Sequence, residues 1–168
     1  ISSSSNSIKK LTNECFMINK ERKRLTSLIE KEALNMALSE HENNNKFIVL
    51  TKREWHPGII GIVAARIVDK YNLPTAILSI AKDGFFRGSI RSNNHLKVNL
   101  ALDECKDLLL AYGGHSEAAG FTIKEENILK LKENLNNIAK REMKNISISK
   151  CIKPDAYLSL KDINHNFY

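Results

Sequence analysis

Hydrophobic residues recur at helical spacing through the first quarter of the chain, on a background of charged and polar positions. Intervals of three and four residues place their side chains on one face of an α-helix. The members of this face are Leu11, Cys15, Ile18, Leu25, Ile29 and Met36. The pattern predicts one long helix from about residue 7 to residue 41, and a periodic pattern of that length is typical of a connector or coiled-coil element.

Three short apolar runs follow this helix and predict β-strands, because they are rich in β-branched and aromatic residues. The runs are FIVLT at 47–51, PTAILSI from Pro74, and residues 85–91. The sequence KDG predicts a tight turn between the last two runs. The segment WHPGIIGIVAARI lies between the first two runs and predicts a helix to about Tyr71, with Pro57 at its first position and His56 as its N-cap.

The second half of the chain continues this alternation. Apolar residues from Val98 to Tyr112 recur at helical spacing and predict an amphipathic helix that ends at Gly113 and Gly114, because glycine commonly caps a helix C-terminus. AAGFTI then predicts a strand, and residues 128–138 predict a last helix whose flanking charges match its macrodipole. Near the end, DAYLSL predicts one further strand, which begins a structure that the chain does not finish.

Strands that alternate with helices predict an α/β fold with a mixed β-sheet flanked by helices. The sheet is expected to be mixed because the turn at Asp83 and Gly84 makes one strand pair antiparallel. The predicted domains are a connector helix over residues 1–45, an α/β domain over 46–145, and a linker with the first strand of an incomplete domain over 146–168. A chain of 168 residues with 42% hydrophobic content is long enough to bury one good core.

Two glycines, Gly58 and Gly61, stand in the predicted helix after Trp55. Alanine stabilises a helix interior better than glycine by roughly 0.5–1 kcal/mol per residue. The glycines therefore indicate either close packing of the helix or a ligand that approaches bare backbone. Packing is the favoured interpretation, because Gly61 is expected a full turn inside the helix, with its N–H already hydrogen-bonded.

Composition narrows the classes of partner. Lys and Arg exceed Asp and Glu by 26 to 19, which gives a net charge of +7 and is compatible with a polyanionic partner. No apolar run approaches the roughly 20 residues of a membrane span, and the start of the chain lacks both a signal-peptide core and an initiator methionine. We therefore expect part of a longer soluble protein with no membrane partner.

Cys15, Cys105 and Cys151 lack CxxC spacing, so reduced thiols in a cytoplasmic protein are expected, the first two of them buried.

RGSIRSNN is the first stretch with candidate chemistry. The two-residue period of a strand places Arg87, Ser89 and Arg91 on one face. Two guanidinium groups that flank a hydroxyl form a donor array suited to phosphate oxygens. A solvated outer face of an edge strand explains the same pattern, and the pattern alone slightly favours this second interpretation.

YGGHSEAAGF is the second such stretch. It places His115 directly after two glycines, where a histidine can donate a hydrogen bond to a phosphate or move a proton near neutral pH. A glycine cap followed by an incidental histidine explains the pattern about equally well. Gly120, after Ala118 and Ala119, adds weight to the first interpretation, because small residues on a strand permit close approach of a ligand or another backbone. Neither a DxD nor a DHH cluster occurs, so no metal site is predicted.

Three segments in this order, WHPGIIGIVAARIVDKYNLPTAIL, GSIRS and LLLAYGGHSEAAGF, resemble the DHH-associated domain of the RecJ family of single-strand-specific exonucleases. INKERKRL resembles that family's connector helix, and PDAYLSL resembles the first strand of its OB-type domain. In this family a separate DHH domain binds two divalent ions, Mn2+ or Mg2+, and cuts single-stranded DNA from the 5′ end. The resemblance implies that the ions and the missing DHH domain belong to the complete enzyme, and that this chain alone binds no metal ion and is inactive.

The resemblance also implies roles for individual residues. The family uses its GSxRS and GGH motifs to hold DNA phosphates against the metal site. Here the implied phosphate-binding residues are Ser89, Arg91, Ser92, Gly113 and Gly114, joined by Arg87. His115 is the implied catalytic residue, and we expect it to contact the phosphate under attack.

Other functions remain open at this stage. One is a DHH phosphoesterase that cleaves short oligonucleotides or cyclic dinucleotides, and the WHPGIIG segment argues against it. Another is a binding module without catalysis, either a remnant that binds single-stranded nucleic acid or the editing-associated domain of alanyl-tRNA synthetases. The combination of WHPG with GSIRS argues against the synthetase.

Overall fold

The computed structural model describes residues 2–93, 95–144, 156–159, 161 and 163, without the side chains of residues 2–6. Nine helices and strands lie in this part of the chain, with short 3-10 turns at Lys106–Leu108 and Glu125–Asn127. In order they are α1 (Ser2–Glu42), β1 (Ile48–Thr51), α2 (Ile60–Tyr71), β2 (Thr75–Ile80), β3 (Phe86–Arg91), α3 (Val98–Glu104), β4 (Leu109–Gly114), β5 (Ala118–Ile123) and α4 (Ile128–Glu142).

The strands form one sheet in the order β1-β2-β3-β5-β4. β1 and β2 are parallel, and the other three pairs are antiparallel. The predicted mixed α/β fold is therefore confirmed. The first five residues of β2 are buried on both faces of the sheet, so the core is centred on this strand.

The long helix α1 buries side chains against the domain in its second half. Ile29, Ala33 and Ala37 are buried, and the two alanines let the helix approach β1 and α2 closely. The first half exposes apolar side chains, which are Ile8, Leu11, Phe16, Met17 and Ile18. The helix was predicted correctly, but the expected burial of Cys15 was wrong, because that thiol lies on the exposed half.

Of the other two cysteines, Cys105 is buried as expected, at the end of α3. Burial, assisted by the nearby charge of Glu104, raises the pKa of the Cys105 thiol to about 11. A raised pKa keeps the thiol protonated and unreactive at neutral pH. Cys151 lies outside the described residues.

Just before β1, a side chain provides hydrogen bonds to the backbone that leads into the strand. The Asn136 carbonyl oxygen, from α4, accepts hydrogen bonds from the backbone N–H groups of Lys46 and Phe47, each at 3.1 Å. Its amide group donates to the backbone oxygen of Phe47 at 3.0 Å. One buried amide thus satisfies three backbone groups that would otherwise lack partners.

The helix predicted over residues 98–112 is wrong in its second half. The helix α3 ends at Glu104, and residues 109–114 form β4 instead. The apolar residues from Leu108 to Tyr112 fit both a helical face and a strand, and antiparallel pairing with β5 selects the strand. Gly113 and Gly114 therefore end a strand and do not cap a helix.

The start of α2 also differs from the prediction. The helix begins at Ile60, and Pro57 lies in a turn that precedes it. The His56 ring accepts a hydrogen bond from the Gly58 N–H at 3.0 Å, which stabilises this turn. Gly58 therefore lies outside the helix and Gly61 lies in its first turn, where a backbone N–H has no acceptor within the helix. The expectation that the Gly61 N–H is hydrogen-bonded inside the helix was wrong.

Near the end of the chain, the described residues 156–159 have no regular secondary structure, and the other residues of DAYLSL lie outside the described part. The OB-like strand and the boundaries of the three predicted domains stay predictions. No helix in the described residues is both long and apolar enough to cross a membrane.

Candidate nucleic-acid interface

Three polar side chains share one face of β3, as the sequence predicted. Arg87, Ser89 and Arg91 are half-buried and alternate with buried residues along the strand. Ser89 lies opposite Gly120 of β5, which in turn lies opposite Gly113 of β4. This register places a hydroxyl and a guanidinium group beside a glycine in each of the two neighbouring strands.

A shallow, open groove of about 340 Å³ occupies this part of the sheet. Small residues form most of its lining, and Ser89 and Arg91 supply its polar side chains. The lining residues are Ser89, Arg91, Gly113, Gly114, Ala118, Ala119 and Gly120. The structure therefore brings together four of the seven predicted site residues, two from the GSIRS motif and two from the glycine pair.

Two hydrogen bonds orient the guanidinium of Arg91. Its Nη1 donates to the hydroxyl oxygen of Ser89 at 3.0 Å and to the backbone oxygen of Ile90 at 2.8 Å. Its Nη2 has no hydrogen-bond acceptor among the described residues, so it remains available to a ligand. A guanidinium group with free donors, next to a hydroxyl group, suits phosphate oxygens.

The glycines near the groove have different roles. A Cβ atom on Gly88 would lie 2.1 Å from the ring of Phe121, so packing of the core requires glycine there. A Cβ atom on Gly113 would meet nothing within 4 Å, and one on Gly120 would make only an ordinary contact of 3.7 Å. Internal packing therefore does not explain Gly113 or Gly120, whereas a ligand lying on the bare backbone would.

The face of β4 opposite the groove differs from the groove face. Tyr112 precedes Gly113 and so points to the other side of the sheet, where its hydroxyl donates a hydrogen bond to the Asp103 carboxylate of α3. This hydrogen bond raises the pKa of Tyr112. The helix α3 thus contacts the Tyr112 side of β4, although Tyr112 itself stays exposed.

His115 follows the groove but does not line it. Its backbone N–H donates to the Ala118 oxygen at 2.8 Å and closes the link between β4 and β5. Gly114 has a φ of +152°, and a Cβ atom there would lie 2.4 Å from the Ala118 oxygen, so this link requires glycine. The His115 residue is exposed next to the groove, and its catalytic role stays a prediction.

The structure does not bring Arg87 and Ser92 into the groove. Arg87 lies toward the other end of β3 and pairs with the Asp83 carboxylate. The backbone N–H of Phe85, together with Arg87, holds the pKa of Asp83 below its usual range. The Ser92 hydroxyl oxygen lies within hydrogen-bond distance of the backbone oxygens of Asn93 and Leu96, so it stabilises the loop after β3. The predicted contacts of these two residues with phosphate have no support from this geometry.

Sequence reasoning missed the relation of Gly61 to the groove. A Cβ atom on Gly61 would lie 2.8 Å from the Ser89 hydroxyl oxygen and 2.9 Å from Arg91 Nη2. At Gly61 the helix α2 does pack closely on the sheet, as the favoured interpretation required, whereas a Cβ atom on Gly58 would meet only the ring of His56 in its own turn. The unfavourable glycine was a signal of some close contact, but the sequence did not show that its neighbours are the polar residues of the groove.

The described residues do not fit a divalent metal ion. They contain no group of three or more His, Cys, Asp or Glu side chains close enough together to hold one. The use of Mn2+ or Mg2+ by the complete protein stays a prediction that rests on the family resemblance.

Comparison with known proteins identifies the same region. The DHHA1 domain family matches residues 44–141. The chain is 38% identical over 130 residues to the single-stranded-DNA-specific exonuclease RecJ of Bacillus subtilis (strain 168), which covers 77% of this chain and 16% of the relative. It is 37% identical over 115 residues to RecJ of Thermus thermophilus, which covers 68% of this chain and 16% of the relative. The chain thus spans about a sixth of the length of these relatives.

Solved structures of RecJ exonucleases are also similar to this chain. A crystal structure of the exonuclease RecJ bound to manganese matches with a TM-score of 0.71 and 31% identity, covering 83% of this chain and 35% of that chain. RecJ from Thermus thermophilus in complex with Mn2+ matches with a TM-score of 0.68 and 35% identity, covering 77% of this chain and 18% of that chain. The glycine-lined groove lies within the matched family region.

Proposed function

Since this chain belongs to the DHHA1 domain family and is similar in sequence and fold to that region of the RecJ exonucleases, we propose that it is the DNA-binding portion of a RecJ-like single-stranded-DNA exonuclease. Its groove holds the sugar–phosphate backbone of the substrate against a catalytic DHH domain. The partners are single-stranded DNA and that domain. The chain alone does not hydrolyse DNA, and it acts in the cytoplasm.

The observation that supports this proposal is the bare backbone of Gly113 and Gly120 beside the Ser89–Arg91 pair. Proteins commonly hold a phosphodiester with cationic donors, with hydroxyl groups and with backbone that the phosphate approaches closely. The groove supplies all three: the guanidinium of Arg91, the hydroxyl of Ser89 and the two glycines. Such contacts act on phosphates rather than on bases, so binding is expected to be independent of sequence.

His115 has the next role in the proposal. It is exposed beside the groove, directly after Gly114. In the complete enzyme its imidazole donates a hydrogen bond to the phosphate that is cleaved, and so stabilises the charge that develops there. Divalent ions bound by the DHH domain would supply an activated water and further stabilisation of that charge. The residues of this chain bind and orient the phosphate.

The first test measures binding of a fluorescein-labelled oligothymidylate to the purified chain by anisotropy, over a range of salt concentrations. Binding weakens as salt rises, because phosphate contacts release counterions. Arg91→Ala is expected to flatten the slope of log affinity against log salt by about 0.7, the value for one lost contact on a single strand.

Arg141→Ala is the matched control, because it removes the same side chain from α4, where Arg141 pairs with Glu104 and Glu142. We expect the salt slope of Arg141→Ala to lie closer to that of the unaltered chain than the slope of Arg91→Ala does. Equal slopes for Arg91→Ala and the unaltered chain contradict the proposal. Equal binding of a duplex with the same number of nucleotides contradicts its preference for single strands.

A further inference from the structure

We infer that Gly61 is a positioning residue of the groove, and this inference rests on the proposed function. The missing side chain in the first turn of α2 leaves the space in which the Ser89 hydroxyl and the Arg91 guanidinium take up their arrangement. Gly61 contacts no ligand itself. It acts through these two side chains, which are 28 and 30 positions later in the chain.

The distances support this role. The two atoms nearest to a Cβ on Gly61 are the Ser89 hydroxyl oxygen at 2.8 Å and Arg91 Nη2 at 2.9 Å. Both distances are shorter than the contacts that a real Cβ atom makes, so at least one partner has to move if residue 61 carries a side chain. Nη2 is also the atom of Arg91 that remains available to a phosphate.

The helix is not free to move away instead. Ile60, Val63, Ala64 and Ile67 are almost fully buried and fix α2 against the core. By contrast, Ser89 Oγ and Arg91 Nη2 are the ends of side chains that rotate without disturbing the backbone. A methyl group at residue 61 therefore displaces the groove's polar groups and leaves the fold intact.

The two displaced groups are coupled to each other. Arg91 Nη1 donates to the Ser89 hydroxyl oxygen at 3.0 Å, so rotation of the hydroxyl removes one of the two contacts that orient the guanidinium. A single methyl group at residue 61 thus disturbs both donors. Gly88 provides a contrast, because a methyl group there meets the buried ring of Phe121, which has no free space to enter.

The experiment compares Gly61→Ala with the unaltered chain, using the labelled oligothymidylate and thermal unfolding. We expect an unchanged or higher melting temperature, because alanine favours the helix. We also expect several-fold weaker binding, with the salt slope flattened by about 0.7, as for Arg91→Ala. Gly84→Asn is the control: it adds a side chain at a glycine in the turn before β3, where nothing lies within 4 Å and where asparagine tolerates the positive φ.

A double-mutant cycle distinguishes positioning from general damage. If Gly61 acts through Ser89 and Arg91, Gly61→Ala weakens binding clearly less in the Arg91→Ala background than in the unaltered chain, because only the Ser89 hydroxyl is left to be displaced. Additive effects overturn the inference. A clear fall in melting temperature for Gly61→Ala also overturns the inference, because the added methyl group would then destabilise the fold instead of only moving the two side chains.

A measurement without DNA separates this inference from the proposed function. The Nε–Hε signal of Arg91 in a nitrogen-15 spectrum, assigned by its loss in Arg91→Ala, reports the environment of the guanidinium. Gly61→Ala is expected to shift this signal, and Gly84→Asn is expected to leave it in place. If the unaltered chain does not bind DNA, the proposed function fails, while a shifted signal still supports positioning. An unshifted signal overturns it.

Discussion

The two edges of the sheet satisfy their backbone groups in different ways. At the β1 edge, the Asn136 amide of α4 takes up the backbone hydrogen bonds of Lys46 and Phe47, and the strand is buried. At the other edge, most of β4 is exposed, and its last two residues are glycines. At the first, closed edge a protein side chain satisfies the backbone groups at the start of β1, whereas the second, open edge leaves bare backbone near Ser89 and Arg91. The same sheet therefore has an edge that maintains the fold and an edge that is open to a ligand.

The largest effect on stability is expected at the closed edge. Asn136→Ala leaves the backbone groups of Phe47 buried without partners, and each such group costs about 1–3 kcal/mol. We expect the free energy of unfolding to fall by about 3 kcal/mol in urea denaturation. The neighbouring Asn137→Ala is the control, because Asn137 is exposed on the same helix. An equal effect of the two substitutions would show that the amide does not close this edge.

A smaller effect is expected from the core behind the open edge, where Cys105 lies just before β4. The pKa of its thiol is about 11 in the folded chain, against an ordinary value of about 9. Between these values the folded state retains a proton that the unfolded state loses, so stability falls as pH rises. Between pH 9 and pH 11 we expect the free energy of unfolding of the unaltered chain to fall by about 2 kcal/mol more than that of Cys105→Ala. Identical pH profiles for the two proteins would show that this part of the core is not dry.

The smallest effect on stability is expected at the open edge itself. Gly113→Ala adds a methyl group that meets no protein atom within 4 Å, so the free energy of unfolding changes by less than about 0.5 kcal/mol. Affinity for the oligothymidylate falls on the order of 1 kcal/mol, about fivefold in Kd, because the methyl group stands on the floor of the groove. Gly88→Ala is the informative contrast, since its methyl group overlaps the Phe121 ring and destabilises the fold. Unchanged DNA binding by Gly113→Ala would show that Gly113 is not part of the DNA interface.

Much of the fold was predictable from local pattern. The helix α1 and the strands β1, β2 and β5 have periodicities that agree with their final environments, and the Asp83–Gly84 turn has its own local signature. The strand β4 was not predictable in this way, because LLLAY satisfies a helical spacing as well as a strand. The choice between them depends on pairing with β5, which is a tertiary interaction.

The candidate site was predictable only in part. The alternation along β3 correctly put Ser89 and Arg91 on one face, since a strand's period is a local property. The resemblance to RecJ singled out the glycine pair. The contact of Gly61 with Arg91, however, joins positions 30 residues apart on a helix and a strand. The spacing of residues along the sequence does not reveal such a contact. The glycine at position 61 therefore indicated only that some group lies close to the helix there.

The glycines at the end of β4 also affect how copies of the chain behave at high concentration. An exposed edge strand offers unpaired N–H and C=O groups to another molecule and so promotes aggregation. Glycine pairs poorly in sheets, and the register irregularity between Leu109 and Ala111 further interrupts a straight edge. The bare backbone at this edge thus also disfavours edge-to-edge assembly of the protein. We expect β-branched residues in place of these glycines to lower the solubility of the chain.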